Sequence, residues 1–108
     1  MPDDAKFGVY GRLTAQPGRR DELVAKLEEA MRACRGRGLE FGTVNKVLDE
    51  PDRVWITQLW THRDAHDTVT KSETLVSITA SMMPLVAGTP EGCYGEAAYV
   101  QPQPQTAS

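Results

Sequence analysis

The 108-residue chain lacks the features that would place it in several large classes of protein. Its apolar runs are all short, whereas a transmembrane helix needs roughly 20 consecutive apolar residues. The first six residues, MPDDAK, contain neither the positively charged stretch nor the apolar stretch of a signal peptide. The sequence therefore predicts a cytoplasmic protein without a membrane partner.

The chain also lacks an excess of positive charge. It contains 12 Lys and Arg residues against 15 Asp and Glu residues, which gives a formal net charge of -3 at pH 7. Its basic residues are scattered among acidic ones, whereas nucleic-acid binding needs a basic surface to contact phosphates. No nucleic-acid partner is expected.

Motifs of several common enzyme classes are missing as well. The sequence has no glycine-rich phosphate loop and no Gly-x-Ser-x-Gly motif, so kinase, dinucleotide-binding and hydrolase functions have no support. Two histidines are present, His62 and His66, at a spacing that places both on one helix face. A catalytic zinc ion needs a third protein ligand, and Asp67 lies off that face. No metal site is predicted.

Cysteine is scarce. Cys34 falls on a predicted helix and Cys93 lies near the C-terminus. The two could pair in principle, but free thiols are expected because the chain has no secretory signal.

What is present is a regular alternation of strand and helix patterns in the order β-α-β-β-α-β. Strands are predicted at residues 6–15, 39–48, 53–60 and 93–100, and helices at 19–35, from just after 61 to about 70, and from 72 onward. The two central strands are joined by a short turn and should form an antiparallel hairpin. Thr61 and Asp64 resemble a capping box that starts the second helix. Residues 87–90 are expected to interrupt regular secondary structure before the last strand.

This order predicts an α+β domain over residues 1–100, a ferredoxin-like antiparallel sheet with its helices on one face. Residues 101–108 are rich in Pro and Gln and are predicted to form a disordered tail. Both faces of the first strand carry side chains that suit burial, since Phe7, Val9 and Leu13 alternate with Tyr10 and Arg12. Burial on both faces predicts a partner, and we expect a homodimer.

The third strand ends in Trp60 and leads directly into the helix with the two histidines, a junction where small-molecule pockets are often built. Around it, several segments resemble the antibiotic biosynthesis monooxygenase family in their order and spacing. They are residues 10–13 (YGRL), 17–23 (PGRRDEL), 44–45 (VN), 54–60 (VWITQLW), 65–67 (AHD) and 83–88 (MPLVAG). The resemblance implies a dimeric α+β barrel, in which the sheets of two chains pack face to face. It also implies oxidation of electron-rich polycyclic phenols or quinols by O₂ without a cofactor.

Two departures from the family qualify this resemblance. Members usually carry a glutamate where this chain has Gln58, so a carboxylate base is replaced by a neutral amide. The haem-degrading branch has an asparagine in the first strand, where this chain offers Tyr10 and Arg12, and its histidine lies further from the tryptophan than His66 lies from Trp60. A haem enzyme is therefore not expected.

Oxidation without a cofactor requires a dry pocket, a donor for the developing oxyanion and a path for the substrate proton. We assign the catalytic roles to Trp60 as an apolar wall with an indole N–H, Asn45 as an oxyanion or carbonyl ligand, and His66 as the proton acceptor, since histidine ordinarily titrates near neutral pH. We expect Tyr10, Arg12 and Gln58 to bind the substrate. The predicted function is a cofactor-independent monooxygenase of secondary metabolism that oxidises an anthrone, a hydroquinone or a polyketide-like phenol. The alternative is an isomerase, a cyclase or a ligand-binding accessory protein on the same scaffold.

Each assignment has a structural alternative. Trp60 could simply fill the core, and Asn45 could satisfy a backbone group of the hairpin. Arg12 could be an exposed charge or part of an ion pair. His66 has charged neighbours on a short polar helix, which favours a solvated surface position.

Overall fold

A computed structural model describes residues 5–102 and confirms the ferredoxin-like α+β fold. The strands are β1 (Phe7–Ala15), β2 (Leu39–Lys46), β3 (Arg53–Trp60) and β4 (Val86–Glu96), and the helices are α1 (Arg20–Ala33), α2 (Arg63–Thr70) and α3 (Glu73–Met82). A 3₁₀ turn, Met83–Leu85, joins α3 to β4. Residues 103–108 of the predicted tail lie outside the described part. Within residues 5–102, no helix is long and apolar enough to cross a membrane.

The four strands form one antiparallel sheet in the order β2-β3-β1-β4. Because side chains alternate along a strand, each strand contributes to two faces. One face, which we call the covered face, packs against the helices and includes Val54, Ile56 and Trp60 of β3. The other, the open face, carries Tyr10 and Trp55 and has no helix over it in the part of the chain that is described.

The core between the sheet and the helices consists of two clusters. The larger holds Ala15, Leu23, Leu27, Val54, Ile78, Met82, Leu85 and Val86, and the smaller holds Phe7, Cys34, Trp60, Val69 and Leu75. Helix α1 joins the first cluster because its apolar residues recur at helical spacing, and Leu23 is completely buried. The second cluster surrounds the end of β3, so the junction between β3 and α2 packs against its own part of the core.

Arg20, at the start of α1, ties this helix to the far end of the β2–β3 hairpin. Its Nη1 donates hydrogen bonds to the carbonyl oxygens of Val47, Glu50 and Arg53 at 3.0, 2.9 and 3.3 Å. Hydrogen bonds from a charged donor are stronger than those between neutral groups. The hairpin is thereby held against α1 at the end opposite to Trp60.

The structure corrects the expected start of the last strand. Strand β4 begins at Val86 rather than at residue 93 and runs through the predicted break at 87–90. Its register against β1 shifts between Arg12 and Thr14, which makes a bulge at residues 88–90. Gly88 has a φ of +72°, a conformation that glycine adopts readily. The prediction failed because a Gly-Thr-Pro sequence that normally ends a strand is accommodated at a sheet edge.

The start of α2 also differs from the prediction. The N-cap is His62, and the capping box proposed for Thr61 is wrong. The His62 Nδ1 accepts a hydrogen bond from the backbone N–H of Ala65 at 3.1 Å. Just before β2, Gly38 approaches this junction so closely that a Cβ there would lie 2.7 Å from the Cβ of Ala65. This contact fixes where α2 begins relative to Trp60.

Candidate active site

Trp60 and Gln58 form a hydrogen-bonded pair on the covered face. They are two positions apart on β3, so both side chains point toward the helices. The Trp60 ring is completely buried, and its Nε1 donates a hydrogen bond to Gln58 Oε1 at 2.9 Å. Since an indole N–H can only donate, it fixes the orientation of the amide and turns the Gln58 NH₂ group away from the ring. The free donor at this position is therefore the amide of Gln58, because the indole N–H is already engaged.

His66 is buried beside this pair. The expected solvated position is wrong, because α2 turns His66 and Val69 inward and only 7% of His66 remains exposed. Its ring centroid lies 5.0 Å from Phe7, 5.2 Å from Trp60 and 5.3 Å from Tyr94. The indole and the imidazole meet edge to face at 88°. Three aromatic rings thus surround a group that can accept or donate a proton.

Two charged residues of α2 lie at the rim of this cluster. Asp67 Oδ1 is 2.9 Å from His66 Nδ1, and Asp67 Oδ2 is 3.5 Å from Arg63 Nε. The hydrogen bond with His66, followed by the nearby positive charges, holds the pKa of the Asp67 carboxyl below its ordinary value. The Arg63 guanidinium also lies over the rings of Phe7 and Tyr94, at 5.5 and 5.6 Å from their centroids.

A pocket opens next to these groups. It has a volume of about 330 Å³ and is lined by Ala5, Lys6, Phe7, Arg63, Tyr94, Gly95 and Glu96. Phe7 and Tyr94 connect the pocket with His66, since both rings contact the imidazole. The pocket therefore borders the aromatic cluster, and its charged lining residues are Lys6, Arg63 and Glu96.

The remaining predicted site residues lie elsewhere. Asn45, Tyr10 and Arg12 project from the open face, so the sheet separates them from Trp60, Gln58 and His66. The structure therefore brings Trp60, Gln58 and His66 together, and the other three predicted site residues lie on the opposite side of the sheet. Their separation follows from strand register, since β1 and β2 place these residues opposite the open-face residues Thr57 and Trp55 of β3.

On the open face, the side chains of Asn45 and Arg12 already have polar partners. Asn45 Nδ2 donates to Thr43 Oγ1 at 2.8 Å and to the Trp55 carbonyl at 3.3 Å, so it satisfies a backbone group of the hairpin. Arg12 forms an ion pair with Glu91 at 3.2 Å. Asn45 thus satisfies a hairpin backbone group and Arg12 is part of an ion pair, as the structural alternatives for these residues proposed.

The open face also exposes large apolar side chains. Tyr10, Trp55 and Phe41 remain 37%, 39% and 47% exposed. At one end of this face is a cavity of about 680 Å³, lined by Lys6, Glu40, Phe41, Leu59, Ala97, Tyr99, Val100, Gln101 and Pro102. A third cavity, of about 580 Å³, lies between α1 and the outer strand β2.

The two cysteines differ in their surroundings. Both are free thiols, with Cys34 buried and Cys93 exposed. Burial raises the pKa of the Cys34 thiol, so it stays protonated at neutral pH. Among residues 5–102, no group of three His, Cys, Asp or Glu side chains could hold a metal ion together.

The sequence analysis did not assign four residues to the site: Phe7 and Tyr94 in the aromatic cluster, and Arg63 and Asp67 at its rim. The strand pairs Phe7 with Trp60 and Val9 with Tyr94 would have revealed both aromatic rings. Predicting the first pair required the register of β1 against β3, and predicting the second required the register of β4 against β1. Asp67 was considered only as a zinc ligand, although it adjoins His66 in the sequence.

Comparisons with known proteins agree with the fold described above. Residues 6–78 match the family model of the antibiotic biosynthesis monooxygenases. A solved structure from Chloroflexus aurantiacus J-10-fl, assigned to the same family, is 27% identical, with a TM-score of 0.80 over 90% of this chain and 97% of that one. SnoaB, a cofactor-independent oxygenase from Streptomyces nogalater, is 17% identical and shares the fold, with a TM-score of 0.79 over 92% of this chain and 99% of that one. No curated protein matches the chain.

Proposed function

Because this chain belongs to the antibiotic biosynthesis monooxygenase family, we propose that it is a cofactor-independent monooxygenase that oxidises an electron-rich aromatic with O₂. The substrate class is an anthrone, a hydroquinone or a polyketide-like phenol. The observation that carries this proposal is the buried His66 ring, packed edge to face on Trp60. It is supported by SnoaB, a fold relative that is itself a cofactor-independent oxygenase.

For an anthrone, the proposed reaction begins with removal of a proton from the ring CH₂ by His66. The resulting carbanion, stabilised as a phenolate, passes one electron to O₂, and the two radicals combine to form a C–O bond. The peroxide then loses water as its O–O bond breaks and the second C–H proton leaves. The CH₂ becomes C=O, one oxygen atom enters the product, and the four electrons that reduce O₂ all come from the substrate.

The other groups have roles in this scheme that follow from their chemistry. The NH₂ of Gln58, turned away from Trp60, donates to the phenolate oxygen as charge develops there. The rings of Phe7, Trp60 and Tyr94 keep water away from the carbanion. An amide is suited to this task because it stabilises negative charge, whereas a carboxylate at the same position would repel it.

Oxygen uptake tests the proposal. Metal-free protein is mixed with anthrones and naphthohydroquinones, and O₂ consumption is compared with that in buffer. We expect the wild type to accelerate uptake and His66→Ala to lose about 100-fold or more, the usual contribution of a positioned base. Asn45→Ala, on the opposite face, is the matched control and should keep turnover within about threefold. No acceleration over buffer across the panel would end the proposal, and a large loss in Asn45→Ala would return Asn45 to the catalytic role predicted from the sequence.

One observation favours the non-oxidative alternative. With Gln58 neutral, the group beside Trp60 that can take up a proton is the imidazole of His66. A single base suffices for an isomerase or a cyclase, which moves a proton without oxygen. Conversion of a substrate with no O₂ consumption would identify this class, and saturable binding without conversion would identify an accessory protein.

We also propose that a second copy of this chain covers the open face, forming a homodimer. The three exposed apolar rings on that face support this, since soluble monomers rarely leave large apolar patches open to water. Tyr10 and Arg12 then belong to the interface between the copies, and a substrate-binding role for them would require the interface to border the site. Light scattering at micromolar concentration should give twice the chain mass, and a monomer mass would contradict the proposal.

A further inference from the structure

The two histidines of α2 form hydrogen bonds of opposite kinds at the same ring atom. His62 Nδ1 accepts a hydrogen bond from the backbone N–H of Ala65 at 3.1 Å, so this atom carries no proton. His66 Nδ1 lies 2.9 Å from Asp67 Oδ1. An ionised carboxylate can only accept, so here Nδ1 must carry the proton. Neutral His62 is therefore protonated on Nε2, and neutral His66 is protonated on Nδ1.

The surroundings of His66 leave Asp67 as the group that determines its tautomer. The titratable or charged groups facing or flanking the ring are Arg63 and Asp67 on α2, Tyr94 on β4 and Cys34 in the same buried cluster. Asp67 is the one that contacts a ring nitrogen of His66 within the described residues. Its carboxyl has a pKa below the ordinary value, so it is ionised at neutral pH.

The other ring nitrogen of His66 is available to a ligand. Its Nε2 has no hydrogen-bond partner among residues 5–102. Among the described residues, only Arg53 Nε is a side-chain nitrogen or oxygen that is both fully buried and without a hydrogen-bond partner. Since His66 Nε2 has no partner there either, it is not fully buried. A deprotonated nitrogen that is free and reachable can serve as a base.

We propose that Asp67 is a positioning residue that fixes the Nδ1-protonated tautomer of His66 and thereby makes Nε2 the atom that accepts the substrate proton. The role of Nε2 rests on the proposed function, whereas the tautomer itself does not. After proton transfer the ring is positively charged, and the Asp67 carboxylate stabilises it at 2.9 Å. Asp67 itself does not need to contact the substrate.

Nitrogen NMR can test the tautomers without any substrate. In protein labelled with ¹⁵N-histidine, long-range ¹H–¹⁵N spectra near pH 8 distinguish a protonated ring nitrogen from a free one. The chain has only two histidines, and the variant His62→Asn, which keeps a good N-cap residue, assigns them. We expect opposite patterns, with His66 protonated on Nδ1 and His62 on Nε2. If both rings are protonated on Nε2, the proposal is overturned.

The variant Asp67→Asn tests the cause. An amide can either donate or accept, so the Nδ1-protonated population of His66 should fall, and kcat should fall at least about tenfold with KM nearly unchanged. Asp67→Glu should restore part of both. The matched control is Asp64→Asn, which removes the same charge from the first turn of α2 and should leave both readouts unchanged. A wild-type tautomer in Asp67→Asn would overturn the proposal, whereas correct tautomers in a wild type without turnover would overturn only the proposed function.

Discussion

The two tryptophans of β3 show how differently the two faces of the sheet are used. Trp60 is completely buried on the covered face, among Phe7, His66 and Gln58, whereas Trp55, five positions earlier, remains 39% exposed on the open face. An odd separation along a strand places two side chains on opposite faces. One strand therefore contributes both to the candidate active site and to the surface that we propose a second copy covers. The same residue type serves a different purpose on each face.

Removing each ring should separate the two faces most clearly. Trp60→Ala should lower the free energy of unfolding by about 3–5 kcal/mol, because it leaves a large cavity in the smaller core cluster. Trp55→Ala should cost under about 1.5 kcal/mol in the isolated chain, since part of its ring is in water already. Urea denaturation at low protein concentration measures both. Equal losses would mean that the faces are equally buried within one chain.

A charge on the open face should weaken association strongly. We expect Trp55→Glu to raise the dissociation constant of the homodimer by about 100-fold, or about 2.7 kcal/mol, because a central aromatic residue is replaced by a charge that must be desolvated. The matched control is Val76→Glu, which places the same charge at a 55% exposed position on α3, in the helix layer. Sedimentation over a concentration series measures the constant. Equal effects of the two variants would place the interface somewhere other than the open face.

The thiols provide one probe for each side of the sheet. Cys93 pairs across strands with Tyr10 and is exposed on the open face, and Cys34 is buried below the covered face. Alkylation of Cys93 should slow by about tenfold as concentration rises and the homodimer forms. Cys34 should react only on unfolding, since burial both blocks access and raises the pKa of its thiol. Mass spectrometry follows each site, and Cys93→Ser isolates the signal of Cys34. A Cys93 rate independent of concentration would mean that the open face stays uncovered.

The smallest expected effect concerns acid stability. The pKa of Asp67 is lowered in the folded chain, chiefly by its hydrogen bond with His66. A lowered pKa in the folded state stabilises the protein above the ordinary value of 3.8 and loses this contribution as the pH falls through the folded-state pKa. Asp67→Asn should therefore be less stable than wild type at neutral pH, with the difference shrinking below about pH 4. Urea midpoints at both pH values measure this.

Asp49→Asn serves as its control, since Asp49 lies exposed in the hairpin turn. It should leave the pH dependence of stability unchanged. If both variants flatten that dependence equally, the contact between Asp67 and His66 does not contribute to acid stability.

Much of the fold could be predicted from the sequence because local patterns specify it. The strand over residues 53–60 alternates clearly and ends in Trp60, and its predicted bounds agree with β3. The helical spacing of Leu23 and Leu27 likewise indicates the buried side of α1. Where a segment depends on its neighbours, prediction was less successful. Strand β4 contains residues that break strands in isolation, and its pairing with β1 overrides them.

The candidate site was harder to predict because it depends on register between strands. Trp60 and Gln58 were expected at the site and do lie together, since both are on one strand. Asn45 comes from β2, and its face depends on a register shift between Leu39 and Phe41 that leaves no clear sequence signal. The burial of His66 could not be deduced from a helix whose neighbouring residues are mostly polar.

The bulge in β4 has a consequence for solubility. An outer strand with a free row of backbone N–H and C=O groups can pair with another sheet and lead to aggregation. In β4, the bulge at residues 88–90 interrupts that row, Pro90 offers no N–H, and Glu91 places a charge beside it. Pairing with another sheet through the β4 edge is thus discouraged, which fits the proposal that a second copy binds the open face instead.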